Sequence, residues 1–226
     1  MLSLNMLTRF LRFISDNQLF TPLNISPSDN STWQAKKDKL LAAVSGGVDS
    51  VVLCDLLYKA GFRFTIAHCN FKLRGKESDD DETFVKALAQ KYKVDFYVEH
   101  FNTASYAKKE KISLQMAARI LRYGWFEKIS WQLAVGNGQL AKLPTAHCQL
   151  PTYLLTAHLQ NDMLETMLLN LSKGTGIAGL HGIKPKSKPT SFFSGTIIRP
   201  ILFAQKEEIL LYAKKKALKW REDSSN

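Results

Sequence analysis

Leu40-Leu41-Ala42-Ala43-Val44-Ser45-Gly46-Gly47-Val48-Asp49-Ser50-Val51-Val52-Leu53-Cys54 is the stretch that decides the fold. The run up to Val44 is short and wholly apolar, as a strand buried on both faces should be. From Val48 the apolar residues continue on a helical period through Leu57. Two glycines at the junction let the backbone turn tightly and come close to a ligand. The first N–H groups of a helix lack partners within it, and the dipole behind them favours an anion, most simply a phosphate. Ser45 and Ser50 add hydroxyl donors, and Asp49 adds a carboxylate suited to a magnesium ion. The Gly-Lys-Ser/Thr ending of a Walker A loop is missing. Because glycine pairs also make plain turns, the flanking chain must decide.

Downstream, a helix over 48–60 is closed by Gly61, and the alternating residues 62–67 predict a second strand. Strand, helix and strand in succession make a βαβ unit with parallel strands. His68-Cys69-Asn70-Phe71-Lys72-Leu73-Arg74-Gly75 then falls at the carboxyl edge of the sheet, where open α/β sheets bind ligands. The acids of 77–82 open a helix reaching about residue 91; with Ser78 as cap they read as dipole compensation ahead of metal binding. Residues 94–98 predict a third strand and 112–131 a long helix. On that helix Arg119 and Arg122 are three apart and share a face, either solvated or converging on a phosphate.

Residues 132–153 show no period and read as a surface excursion. Residues 154–157 predict a fourth strand, which puts His158 at a carboxyl end. A helix opens there and reaches residue 171, with His158, Asp162 and Glu165 at i, i+4 and i+7 on one face. That face either complements the dipole or serves function. A glycine-rich loop over 173–180, a basic hairpin or loop over 184–194, a strand over 196–200 and a helix over 206–218 close the chain. The fold class is α/β, a mostly parallel sheet of about five strands with helices on both faces. It spans 35–226, behind a helix-and-loop extension at 1–34.

Composition narrows the partners. The chain has 226 residues, 45% hydrophobic and 23% charged, and a formal net charge of +11, which makes RNA or DNA the natural polyanion. Cys54, Cys69 and Cys148 form no Cys-x-x-Cys pair or disulfide framework, which fits a reducing, cytoplasmic setting. No run of 18 apolar residues exists to span a membrane. The first helix is amphipathic, with Arg9, Arg12 and Asp16 among its apolar residues, and is unlike a signal peptide.

Taken together, these stretches resemble the tRNA(Ile)-lysidine synthases, a family of PP-loop ATP pyrophosphatases with a Rossmann-like domain. The carriers are SGGVDS at Ser45, HCNFKLRGKESDDD at His68, QMAARILRY at Gln115 and TAHLQNDMLET at Thr156, then KGTGIAGLHGI at Lys173, IIRPIL at Ile197 and WREDSSN at Trp220. Seven segments in one order are far more specific than any one of them. They cover residues 38–226, the family's catalytic N-terminal domain; its C-terminal tRNA-binding domains are expected to be absent from this chain.

The resemblance implies a ligase that uses ATP and Mg2+ to adenylate the wobble cytidine of tRNA(Ile) with a CAU anticodon. Free L-lysine then displaces AMP. It assigns Ser45, Gly46, Gly47, Asp49 and Ser50 to the pyrophosphate, with Asp49 also on the metal, and Ala67 and His68 to the adenine. His158, Asp162, Arg122, Arg199 and Glu165 go to the reaction centre, and Arg119, Lys173, Gly174, Thr175 and Gly176 to substrate. The chain departs from the family's usual pattern at Leu159, Asn161 and Phe71, where a second histidine, an aspartate and a histidine are common, and 132–153 looks longer than the usual linker. A tRNA thiolase and a noncatalytic nucleotide-binding module are the alternatives. The sequence leaves the oligomeric state open, a homodimer being one option.

Overall fold

The structure, a computed structural model, describes residues 5–20, 39–135, 152–174, 182–187, 190 and 192–222. The expected loop of 21–31, most of the 132–153 excursion, the glycine loop beyond Gly174 and the last four residues lie outside that set. The strands are β1 (Lys39–Ala43), β2 (Thr65–Asn70), β3 (Phe96–His100), β4 (Thr152–Leu155), β5 (Lys186–Ser187) and β6 (Thr196–Ile198). The helices are α1 (Met6–Asp16), α2 (Val48–Lys59), α3 (Lys76–Tyr92), α4 (Thr103–Glu110), α5 (Leu114–Val135), α6 (Gln160–Ser172) and α7 (Lys206–Lys215).

The sheet has six strands in the order β3-β2-β1-β4-β6-β5. Neighbours pair in parallel except β5, which runs antiparallel to β6 at the edge. The chain crosses from β1 outward to β2 and β3, then returns to the other side of β1 to lay down β4. That reversal opens a crevice between β1 and β4 at their carboxyl ends, the place where such sheets bind ligands.

Alternation along the strands fills both faces. Leu40, Ala42, Ile66, Leu155 and Ile198 pack in one core with α1, α2, α3 and α7. Leu41, Ala67, Leu154 and Ile197 pack in a second with Trp125, Phe126 and Ile129 of α5. Asp55 ties the first layer together: buried, it accepts from Lys59 at 2.6 Å, Tyr212 at 2.7 Å and Tyr92 at 3.3 Å. No described helix is long and apolar enough to cross a membrane.

Several boundaries differ from expectation for identifiable reasons. Phe62 and Phe64 are buried but precede β2, because Phe62 packs its ring against Phe10 and Phe20 while its N–H closes α2 on Leu57. The strand instead runs on through His68, Cys69 and Asn70, which the sequence places in a loop. Ser78 is not the cap of α3. Gly75, at φ +54°, takes that position, and Ser78 Oγ accepts from the Arg74 N–H inside the first turn. The acids that follow Ser78 brace the edge of the sheet: Asn70 Nδ2 donates to Asp79 at 3.1 Å and to Glu82 at 2.9 Å, and Glu82 pairs with His100 at 2.7 Å. Helix α4 has no counterpart in the sequence reading; its Asn102 cap and left-handed Lys111 end delimit a short, polar segment.

Candidate functional site

The phosphate loop is held in shape by its own hydroxyls. Ser50 Oγ donates to the Gly47 carbonyl at 2.9 Å and accepts from the Gly46 N–H at 3.2 Å. Ser45 Oγ accepts from the Gly47 N–H at 3.3 Å and lies 3.5 Å from Ser50 Oγ. Only Gly46 needs the freedom of glycine, at φ +98°; Gly47 caps α2 in an extended conformation at φ −67°. The two serines stiffen the turn, and the amides of the first turn of α2 open upward with the positive end of its dipole.

A cavity of about 320 Å³ opens above this loop. Ser45, Gly47, Asp49 and Ser50 form its floor, Ala67 and Cys69 one side, and Thr156 and His158 the other. Arg119, Arg122, Tyr123 and Phe126 of α5, with Phe71, close it over the top. The cavity therefore sits on the crevice between β1 and β4. It brings together residues far apart in sequence, as the shared sheet edge predicts.

The cations are fixed by aromatic faces. Arg122 lies over the Phe71 ring at 5.2 Å, and Phe71 in turn stacks on Phe101 at 5.5 Å. Arg119 lies over Tyr123 at 5.3 Å and Phe192 at 5.7 Å. Stacked guanidinium groups lose little freedom when they bind an anion. Phe71, where the family pattern suggests histidine, thus supplies the platform for Arg122.

His158 stands before α6 rather than on its face, with Nδ1 2.8 Å from Thr156 Oγ1. Burial holds its pKa below the usual 6.5; Arg199, Arg122 and Arg119 push the same way, against Asp162. The imidazole is therefore neutral near pH 7 and able to take a proton. Asp162 accepts the Leu159 N–H at 2.6 Å, which caps α6 and leaves one oxygen uncommitted by that bond. Glu165 is exposed one turn further on and does not line the cavity. Arg199 donates to the Lys184 carbonyl and to Ser187 Oγ, each at 2.7 Å, while its buried Nε has no hydrogen-bond partner among the described residues.

The two residues expected beside the adenine separate. Ala67 faces the cavity, whereas His68 points to the opposite face of β2, with Nδ1 2.8 Å from the Val44 carbonyl. Burial lowers its pKa too. Lys173 and Gly174 lie at the far end of α6 from His158, about 20 Å along a helix of that length. Thr175 and Gly176 lie outside the described residues. Burial pushes the Cys69 thiol up to about 12 in spite of Arg122, so at neutral pH this cavity residue is a thiol and no thiolate nucleophile.

Among the described residues no three carboxylate, imidazole or thiol groups gather as a metal site. Asp49 alone fits a magnesium ion that brings phosphate oxygens and water as its other ligands. Nothing in the sequence marks Lys206, whose Nζ donates to both oxygens of Asp49 at 2.8 Å. Nor does it mark Tyr123 and Phe126 as cavity walls, since their spacing on α5 reads as ordinary core.

Comparison with known proteins bears on the family and the fold. The model of a family described as a PP-loop domain matches residues 17–226. A tRNA(Ile)-lysidine synthase of Bacteroides thetaiotaomicron is 42% identical over 218 residues, covering 96% of this chain and 42% of the relative. One of Chlorobaculum tepidum is 38% identical over 196 residues, covering 85% and 52%. The chain thus spans about half the length of these curated relatives. Among solved structures, an NMN synthetase from Francisella tularensis superposes with a TM-score of 0.57 at 13% identity, over 94% of this chain and 70% of that one. An NH3-dependent NAD synthetase from Campylobacter jejuni gives 0.51 at 14%, over 94% and 71%. These two likenesses show the fold alone.

Proposed function

We propose, from the premise that this chain belongs to the PP-loop domain family, that it carries the ATP-dependent activating site of a tRNA(Ile)-lysidine synthase. One observation carries the reading. The phosphate loop, two stacked arginines and a neutral histidine face one another across a single cavity. The resemblance of the curated relatives supports the choice of substrate, and the net charge of +11 supports a polyanionic one.

In this reading the first-turn amides of α2 and the hydroxyls of Ser45 and Ser50 bind the pyrophosphate part of ATP. Arg122 and Arg119 bind the charge that spreads over the transferring phosphoryl group. Asp49 would hold a magnesium ion, which would supply neutralising charge to the phosphates. The C2 carbonyl oxygen of the wobble cytidine forms a bond to the α-phosphorus as the bond to pyrophosphate breaks. The amino group of free L-lysine then bonds to C2, and the C2–O bond breaks to release AMP. His158 takes the proton that the attacking amine sheds. Asp162 and Arg199, whose charges both reach His158, orient the incoming lysine beside it. Ala67 forms part of the adenine seat. We assign the reaction to the cytoplasm, where tRNA, ATP and lysine meet.

Incubation of the protein with CAU-anticodon tRNA, ATP and isotopically labelled lysine tests this directly. Mass analysis of the digested tRNA should find the label on the wobble cytidine. An unlabelled wobble base overturns the reading.

A further inference from the structure

Asp49 is engaged by a residue that no phosphate-binding motif marks. Lys206 reaches both of its carboxylate oxygens, each at 2.8 Å, across 157 positions of sequence. It occupies the first position of α7, behind the Gln205 cap and ahead of Glu207 and Glu208. A cation at that end opposes the helix dipole, which the two glutamates satisfy. Its placement needs another cause, and the reach to Asp49 supplies one.

The backbone that carries Lys206 is also fixed. Its N–H donates to Asn161 Oδ1 at 3.1 Å, and the Gln160 N–H donates to the Ala204 carbonyl at 3.0 Å. The starts of α6 and α7 are thereby joined, and the ammonium is delivered to the phosphate loop from a set point. Asn161, where the family pattern favours an aspartate, is the acceptor that makes this junction. The lysine and aspartate side chains are 41% and 31% exposed, so water screens the pair and it opens readily.

We propose that Lys206 competes with a divalent cation for the Asp49 carboxylate, so that the metal is held firmly only when it arrives with phosphates. The charges require this order. The Asp49–Lys206 pair is neutral, and a bare divalent ion added to it would sit in a cavity already roofed by Arg119 and Arg122. A polyphosphate reverses that balance. It offers the ammonium a second anion within reach and leaves Asp49 to the metal, which needs only one or two carboxylates once phosphate oxygens are present. Lys206 is then a counter-ion that sets when the metal binds, and it becomes a phosphate contact afterwards.

The inference rests on the ATP reading above, and two separate titrations keep them apart. Mn2+ alone, followed by its electron paramagnetic resonance signal, should bind Lys206→Met about tenfold more tightly than wild type. Lys206→Arg, which keeps the charge, should stay near wild type, and the gain should vanish in the Asp49→Asn/Lys206→Met double variant. Lys206→Gln serves as a second neutral variant if the methionine one fails to fold. Wild-type Mn2+ affinity in the neutral variants, or a gain that survives Asp49→Asn, overturns the proposal. Calorimetric titration of wild type with an α,β-methylene analogue of ATP and Mg2+ judges the ATP reading: lack of binding there defeats that reading, whatever the Mn2+ result.

Discussion

The Arg221 N–H donates to the Gly46 carbonyl at 2.9 Å, so the last described segment of the chain is strapped onto the phosphate loop. The side chain of the same residue holds Asp81 at 2.8 Å, and Arg74 holds the other oxygen of Asp81 at 3.0 Å. Asp81 is 9% exposed. One carboxylate thus joins the loop after β2, the first turns of α3 and the segment that presses on Gly46. The segment 220–222 belongs to the WREDSSN stretch, whose presence the sequence shows but whose task it does not.

Asp81→Ala should therefore cost stability and loosen the phosphate loop together. The substitution removes the carboxylate that Arg221 and Arg74 share. Urea unfolding should read that loss, and nucleotide affinity should fall with it. Arg221→Met keeps the backbone bond to Gly46, so its effect on nucleotide affinity should be the smaller of the two.

The two glycines of the loop should respond differently. Gly46→Ala places a side chain at φ +98°, with Val85 Cγ2 3.4 Å from the new Cβ and Arg221 Cγ 3.6 Å away. Strain of that kind costs about 1–3 kcal/mol. Gly47→Ala sits in extended backbone and meets only Ser45 Oγ at 3.5 Å. Thermal melts should show Gly46→Ala clearly below wild type and Gly47→Ala close to it.

His158 sets a pH signature. Burial and the neighbouring arginines lower its pKa from 6.5, so the acid limb of turnover should lie below 6.5 with a plateau through neutrality. Stability moves with the same sign. Below 6.5 the unfolded chain takes up the proton that folded His158 and His68 refuse, so stability falls with pH until the lowered folded values are reached. His158→Gln should remove the acid limb and slow turnover by about 10²-fold. An unchanged pH–rate profile in that variant would take His158 out of the proton transfer.

Charge makes a fourth prediction. With a net charge of +11, binding of tRNA should weaken steeply as salt rises, since each phosphate contact releases about one counterion. Filter binding across a salt series measures the slope. A flat response would argue against an RNA partner.

What could be read in the sequence was local. The SGGVDS turn, the βαβ unit and the placing of His158 at a strand end follow from periods and turn residues within a few positions of one another. What stayed hidden depends on contacts across the chain. Lys206 finds Asp49 from 157 residues away, and a lone cation at a helix start does not name the carboxylate it reaches. Phe62 and Phe64 look like a strand because they are aromatic and alternate, yet both precede β2, and Phe62 is buried by packing on Phe10 and Phe20 and not by pairing. The two-residue β5 lies in a lysine- and proline-bearing stretch, where only the antiparallel register to β6 reveals it.

The reaction proposed for this cavity cuts ATP between its α- and β-phosphates to activate a tRNA base. Product analysis with ATP labelled at the α-phosphate reads that cut, with tRNA and lysine supplied separately and together. Labelled AMP, matched by pyrophosphate, should form in quantity only when both are present, and not at all with Asp49→Asn. Labelled ADP as the product, or AMP release indifferent to tRNA and lysine, would contradict it.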